Sequence, residues 1–177
     1  MRIFVFSDTH GDTTGMDLVL SKTKPDVIIH CGDGTDDAIE IRRKYPDIDV
    51  HIVRGNYGDD NHASMVHEKF LHIMGHVIYF THGDKFNVYS GSATKSNPAS
   101  EIVEYAKQHG ANIVLHGHTH LATFSFGNGI YLLNPGSGSL KKGYDYKPSF
   151  GCIEICETNV TFKLLSIEVF EKLDPDE

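Results

Sequence analysis

Three stretches decide the fold: RIFVFSDTH (residues 2–10), DVIIHCGD (residues 26–33) and DVHIVRGN (residues 49–56). Each is a short run of β-branched and aromatic residues that breaks off into a polar turn. Continuous apolar runs of this length mark strands buried on both faces. The segments between them have a helical rhythm. One spans Thr14 to Thr23 and stops ahead of Pro25; the other, with Asp36 or Asp37 as its N-cap, reaches Tyr45 and stops ahead of Pro46. Strands alternating with helices require parallel pairing, with the helices packed on the sheet.

Working outward, residues 69–73 and 76–81 read as two strands joined at Met74-Gly75. Residues 87–97, rich in Ser, Gly and Asn, read as a loop able to cover a site, with Phe86 and Tyr89 as candidate lid aromatics. Asn97-Pro98 has the form of an N-cap followed by proline at the first helical position, and Gly110 closes that helix. Residues 113–115 form a further short strand leading into His116-Gly-His-Thr-His120. Residues 130–133, 150–156 and 160–169 read as antiparallel strands, and residues 172–177 are expected to fray. A chain of 177 residues without linker or repeat is read as a single domain, residues 1–177.

Composition narrows the function classes. The formal net charge of −8 argues against nucleic acid as a bulk partner. It leaves room for a small phosphorylated substrate, because bound cations reverse the local field. No apolar run is long enough to predict a membrane-spanning helix, and the apolar opening, residues 1–6, is too short for a signal segment. The three cysteines, Cys31, Cys152 and Cys156, are read as reduced thiols. Cys152 and Cys156 could pair on a metal, but the period-2 alternation around them favours a strand. These features together predict a cytoplasmic location.

The 12 histidines are the composition's most telling feature, because several stand beside Gly and Asp where strands end. Asp8-Thr-His10, Gly32-Asp33, Gly55-Asn56, His82-Gly83 and Gly117-His118-Thr-His120 each follow an apolar run. Taken singly, each is an ordinary turn. In open α/β sheets, however, the carboxyl edge is where ligands bind, so the five loops converge on one pocket. Their pooled donors suit two adjacent divalent cations with mixed N/O ligation: manganese first, with nickel, zinc, iron or cobalt as alternatives. Two such ions about 3.5–4 Å apart activate water and clamp phosphoryl oxygens.

The ordered series D-x-H, G-D, G-N, H-G and G-H-x-H resembles the calcineurin-like metallophosphoesterases. More narrowly, it resembles their small single-domain phosphodiesterase branch, and Asn134-Pro-Gly-Ser137 is similar to a late turn of that branch. The resemblance implies an α/β (α+β) fold, a four-layer sandwich of two packed mixed β-sheets flanked by helices. It implies that Asp8, His10 and His120 hold one metal, that Asn56, His82 and His118 hold the other, and that Asp33 bridges them. A hydroxide bridging the two metals is then the nucleophile in an in-line attack. Asp33, Asn56, His118 and Tyr57 are the residues assigned to catalysis, and Asn56 and Arg54 those assigned to substrate phosphate.

One position departs from many relatives, which carry a histidine after the Gly-Asn; here Tyr57 stands there. A phenol is a reluctant acid at neutral pH. The expected substrates are therefore phosphodiesters or activated esters. Alternatives are a phosphomonoesterase or cyclic-nucleotide hydrolase on the same site, or a non-catalytic protein-binding scaffold of the same fold. His30 and His116 are candidates to orient ligands from behind. The remaining histidines, and Asp12, Asp36, Asp37, Asp59, Asp60 and Asp84, are read as surface or loop groups. Exposed faces of the late strands would support a homodimer.

Overall fold

A computed structural model describes residues 1–58, 60–86, 98–141, 147–157 and 159–172. The first apolar run becomes β1 (Arg2–Phe6), followed by α1 (Thr14–Lys22), β2 (Val27–His30), α2 (Thr35–Lys44) and β3 (Asp49–Ile52). β1 pairs parallel with β2, and β2 with β3, as the alternation requires. The middle of the chain supplies β4 (Glu68–Ile73), β5 (His76–Thr81), α3 (Pro98–Gln108) and β6 (Ile113–Leu115). The last part supplies β7 (Thr123–Gly127), β8 (Ile130–Asn134), β9 (Ser149–Cys156), β10 (Asn159–Ser166) and the short α4 (Glu168–Glu171).

The strands form two mixed five-stranded sheets, ordered β10-β9-β1-β2-β3 and β4-β5-β6-β8-β7. Alternation along each strand then dictates the layers. Ile3, Val5 and Ile29 of the first sheet turn toward Ile78, Phe80, Leu115 and Leu133 of the second, forming the central core. The other face of the first sheet presents Phe4, Phe6, Ile28 and Phe150 to Met16, Val19 and Ile41 of α1 and α2. The outer face of the second presents Tyr79 and Val114 to Ile102 and Ala106 of α3. This is the expected sandwich of two mixed sheets flanked by helices. Phe6 and Phe150 stack at 5.3 Å between β1 and β9. Truncating Phe150 to Ala at this wholly buried position costs about 3–5 kcal/mol.

Several expectations need correction. α2 opens at Thr35 with Gly34 as its cap, and neither Asp36 nor Asp37 caps it. Gly34 has φ 156°, and Asp37 is drawn inward as a hydrogen-bond acceptor instead. β7 was not anticipated, although Asn128-Gly129, both left-handed, is a strong hairpin turn. β8 is antiparallel to β7 but parallel to β6, so the end of the chain is not wholly antiparallel. β10 stops at Ser166, and Val169 belongs to α4. Cys152 is buried and Cys156 exposed, four residues apart on β9, so the strand reading of that stretch holds. Residues 87–97, with Tyr89 and the Asn97 cap, lie outside the described residues. Phe86 packs on Tyr105 of α3 at 5.8 Å.

Candidate metal centre

The carboxyl ends of β1, β2, β3, β5 and β6 release their loops into one region, and backbone hydrogen bonds lace those loops together. Asp8 N–H donates to Gly32 O at 3.0 Å, His10 N–H to Asp33 O at 2.9 Å, and Gly117 N–H to His82 O at 2.9 Å. Two side-chain groupings result. The ligand atoms of Asp8, His10 and His120 lie within 4.8 Å of one another, as do those of Asp8, Asp33 and His82. Asp8 is common to both and wholly buried.

The ring nitrogens face one another at close range. His10 Nε2 is 3.1 Å from His120 Nε2, and His118 Nδ1 is 3.2 Å from His82 Nε2. Carboxylates complete each pair: Asp8 Oδ1 lies 3.3 Å from His120 Nε2, and Asp33 Oδ2 lies 3.3 Å from His82 Nε2. Imidazoles and carboxylates converging in this way are a donor set for divalent transition metals rather than for thiolate-seeking ions.

Backbone strain marks the same residues. Asp8, His10, Asp33, His118 and His120 all have φ between 50° and 71°, the left-handed region that L side chains rarely adopt. Among the described non-glycine residues, only Met74 and Asn128, both in hairpin turns, share that conformation. Such strain persists where the surroundings over-determine it, and it clusters at functional sites.

The surroundings can be named. Asp33 Oδ1 accepts the N–H groups of Asn56 at 2.9 Å and Tyr57 at 2.8 Å, fixing the carboxylate against the β3 exit. A Cβ on Gly55 would collide with that oxygen, so the glycine lets the strand end reach Asp33. Gly117 has the same role beside Ser7 and Asp8. His82 donates from Nδ1 to Cys31 O at 2.9 Å, which leaves Nε2 aimed at the centre. His118 N–H donates to Asp8 Oδ2 at 3.0 Å. In the Asn134-Pro-Gly-Ser137 turn, Ser137 Oγ donates to Asp8 O at 2.6 Å and Asn134 Nδ2 to Gly117 O at 2.9 Å. That turn therefore ties the exits of β1 and β6 together.

The field at the centre calls for positive charge. Burial would lower the basicity of His82, but its bond to Asp33 and the charges of Asp8 and Asp33 outweigh it, raising the pKa to about 9. Burial likewise pushes the Asp8 carboxyl up, yet the His120 bond and the His82 charge bring it below its ordinary value. His120 is raised, first by its bond to Asp8. His10 and His118 are lowered, mainly by burial. A proton on His82 thus stands where a cation would neutralise the carboxylates.

The remaining candidates separate. Asn56 is exposed at the rim, its backbone N–H engaged by Asp33. Tyr57 is 68% exposed and meets His10 edge-on, with ring centroids 5.5 Å apart. Arg54 donates from Nε to His67 Nε2 at 2.7 Å. His30 bonds Thr9 Oγ1 and Gly32 N, and His116 bonds Gly117 O. Asp12 and Asp37 are not solvated loop carboxylates; both are buried. Asp37 Oδ2 accepts from Thr9 Oγ1 at 2.6 Å, Gly11 N at 2.8 Å and Asp12 N at 3.3 Å, bracing the loop that carries His10. Sequence alone did not single out Asp37, because nothing distinguishes it from its exposed neighbour Asp36. A cavity of about 240 Å³ opens beside the centre, lined by His10, Asp33, Tyr57 and the start of α2.

Comparison with known proteins agrees with this geometry. The model of the calcineurin-like phosphoesterase superfamily domain matches residues 1–158. A probable metallophosphoesterase of Methanocaldococcus jannaschii is 32% identical over 148 residues, covering 80% of this chain and 70% of that protein. A predicted phosphoesterase of Streptococcus pneumoniae superposes with a TM-score of 0.71 at 24% identity, over 94% of this chain and 90% of that one. Vps29 of Entamoeba histolytica, solved in complex with Zn²⁺, superposes with a TM-score of 0.68 at 20% identity, over 94% and 99% of the two chains. With its histidine- and aspartate-bearing strand exits gathered in one region and most of its length matched, the chain belongs to the calcineurin-like phosphoesterase superfamily.

Proposed function

We propose that the chain hydrolyses phosphodiesters at a dinuclear centre, with Asp8, His10 and His120 holding one divalent cation and Asn56, His82 and His118 the other. Asp33 would bridge them in this reading, as the family resemblance implies. One observation carries the two-cation reading: two ligand groupings, Asp8 with His10 and His120 and Asp8 with Asp33 and His82, meet at the buried Asp8 carboxylate. The cations, when bound, supply an activated water and neutralise charge on the phosphoryl oxygens. The chain's own residues do the rest. The Asn56 and Tyr57 amides hold Asp33 in one orientation, and the Cys31 carbonyl sets the His82 tautomer. Manganese is the expected metal, and nickel, zinc, iron or cobalt fit the same donors.

Preference for diesters rests on Tyr57. It stands at the rim, in edge contact with His10, where a proton donor to a leaving group would be placed. A phenol donates a hydrogen bond there but is a poor acid, so esters with stable leaving groups are favoured. The 240 Å³ cavity beside Tyr57 offers room for the organic substituent of a diester.

The test is hydrolysis of bis-p-nitrophenyl phosphate and p-nitrophenyl phosphate by metal-stripped protein, with Mn²⁺, Ni²⁺, Zn²⁺ or Mg²⁺ restored singly. Metal-dependent cleavage of the diester, lost in Asp33→Asn, is the expected result. If no metal restores cleavage of either ester, the catalytic reading fails and a protein-binding scaffold takes its place.

A further inference from the structure

The outer edge of the second sheet poses a separate question. β7 is the terminal strand of its sheet, and among the described residues no strand pairs with its outer edge. All five of its residues are exposed. Natural sheet edges are guarded by charge, proline or a bulge, because open backbone N–H and C=O groups invite another strand. β7 reads Thr-Phe-Ser-Phe-Gly and has neither charge nor proline, and residues 111–140 contain no Asp, Glu, Lys or Arg.

Aromatic rings line this edge. Phe124 and Phe126 are 44% and 60% exposed. They alternate onto one face, where Phe126 meets Tyr131 at 4.4 Å and Phe124 stacks on Phe162 of β10 at 5.0 Å. The rings therefore bridge the open side of the sandwich while leaving much of their own surface in water.

We propose that β7 is the interface of a symmetric homodimer, pairing antiparallel with β7 of a second copy about a twofold axis at Ser125. The sequence is self-complementary about that residue. Phe124 of each copy then faces Phe126 of the other, giving two aromatic cross-strand pairs on one face. Charge points to the same surface. Two chains of net charge −8 repel one another, and a hairpin without ionisable carboxylates or ammonium groups is where they approach at least electrostatic cost. A strand of unrelated sequence would gain the same backbone hydrogen bonds, but it would not match the Phe-Ser-Phe symmetry.

β7 begins three residues after His120 and runs away from the metal centre. Antiparallel pairing therefore places the two centres at opposite ends of the joined sheet. Activity per chain is then independent of assembly, so this inference stands or falls apart from the proposed chemistry.

The test is sedimentation of the full chain over about a hundredfold range of concentration, since a reversible dimer follows mass action. The expected limit is twice the 19.7 kDa chain mass. Ser125→Glu sets like charges opposite each other at the axis and is expected to weaken the dimer at least about tenfold, with unchanged melting and unchanged hydrolysis. Ser125→Cys, in a Cys156→Ser background that removes the exposed native thiol, is expected to form an intermolecular disulfide under mild oxidation. Directly opposed strand residues lie within disulfide reach. A chain that stays monomeric throughout, or a dimer that survives Ser125→Glu and yields no Ser125→Cys crosslink, overturns the proposal. Because the crosslink is read on folded protein before and after reduction, misfolding of the glutamate variant does not blunt the test.

Discussion

His10 Nε2 and His120 Nε2 lie 3.1 Å apart, although 110 residues separate them in the chain. Without a cation one ring must donate to the other, and both rings stand beside the Asp8 carboxylate. Losing either ring removes a donor from one grouping and leaves the other grouping whole. His120→Ala is therefore expected to bind about one equivalent of Mn²⁺ where the parent binds about two, as read by titration calorimetry and elemental analysis. Equal stoichiometry in the two proteins would show that His120 holds no metal.

Gly55 is packed so closely on Asp33 that a methyl group cannot be accommodated without moving the carboxylate. Gly55→Ala is expected to lower kcat about a hundredfold or more, in line with losing one preorganised group, while far-UV dichroism stays unchanged. Full activity would mean that the Asp33 position tolerates displacement and does not bridge.

At the position of Tyr57, a histidine would supply the missing acid. Tyr57→His is expected to raise turnover of phenyl phosphate, whose phenolate is a poorer leaving group than p-nitrophenolate, by about 10²-fold, the lower range for general acid catalysis. Cleavage of bis-p-nitrophenyl phosphate should change little. Equal effects on the two substrates would place the residue away from the leaving group.

His116 and His82 pull the stability of the metal-free chain in opposite directions with pH. Burial holds His116 at about 4, below the 6.5 of free imidazole. The unfolded chain binds the extra proton between those values, so this contribution is whole above pH 6.5 and lost as pH falls toward 4. It amounts to about 3 kcal/mol. His82, raised to about 9, contributes fully below pH 6.5, and that contribution is lost as pH rises through 9. Melting temperature of chelated protein should therefore peak near pH 6.5. His116→Gln should flatten the acid limb; an acid limb of unchanged slope would exclude His116 as its source.

Asp37 is the brace behind His10, and Asp37→Ala removes the carboxylate acceptor of Thr9 Oγ1 and Gly11 N, while Asp12 N keeps Thr9 O at 3.1 Å and Thr9 Oγ1 keeps His30 Nε2 at 3.2 Å. A loss of about 1.5–3 kcal/mol in urea unfolding is expected, the range for losing a hydrogen bond to a charged group. A loss below about 0.5 kcal/mol would show that water replaces the carboxylate.

What the sequence revealed and what it hid have physical causes. Strand exits were legible because buried parallel strands are unbroken apolar runs, and Asp8, Asp33 and His118 each stand just beyond one. Partners distant in sequence were not. Asp37 looks like any first-turn helix carboxylate until the fold brings Thr9 to it, and nothing in the sequence pairs Arg54 with His67. The direction of β8 was hidden because a five-residue strand carries the same pattern either way, and only the β7 hairpin before it reverses the chain. β7 itself escaped notice because an exposed edge strand lacks the buried pattern that betrays its neighbours, although its Asn-Gly turn was visible.

The left-handed backbone at five of the proposed ligand positions has an evolutionary consequence. Each such residue sacrifices about 1 kcal/mol relative to glycine, and together they forgo an amount comparable with the roughly 5–15 kcal/mol that separates folded from unfolded domains. Glycine at Asp8, His10, Asp33, His118 or His120 would relax the loop while emptying the pocket of donors. Under the proposed function, selection for ion binding keeps those side chains in place. A lineage released from that selection should drift toward small residues at these five positions, becoming hardier as it becomes inert.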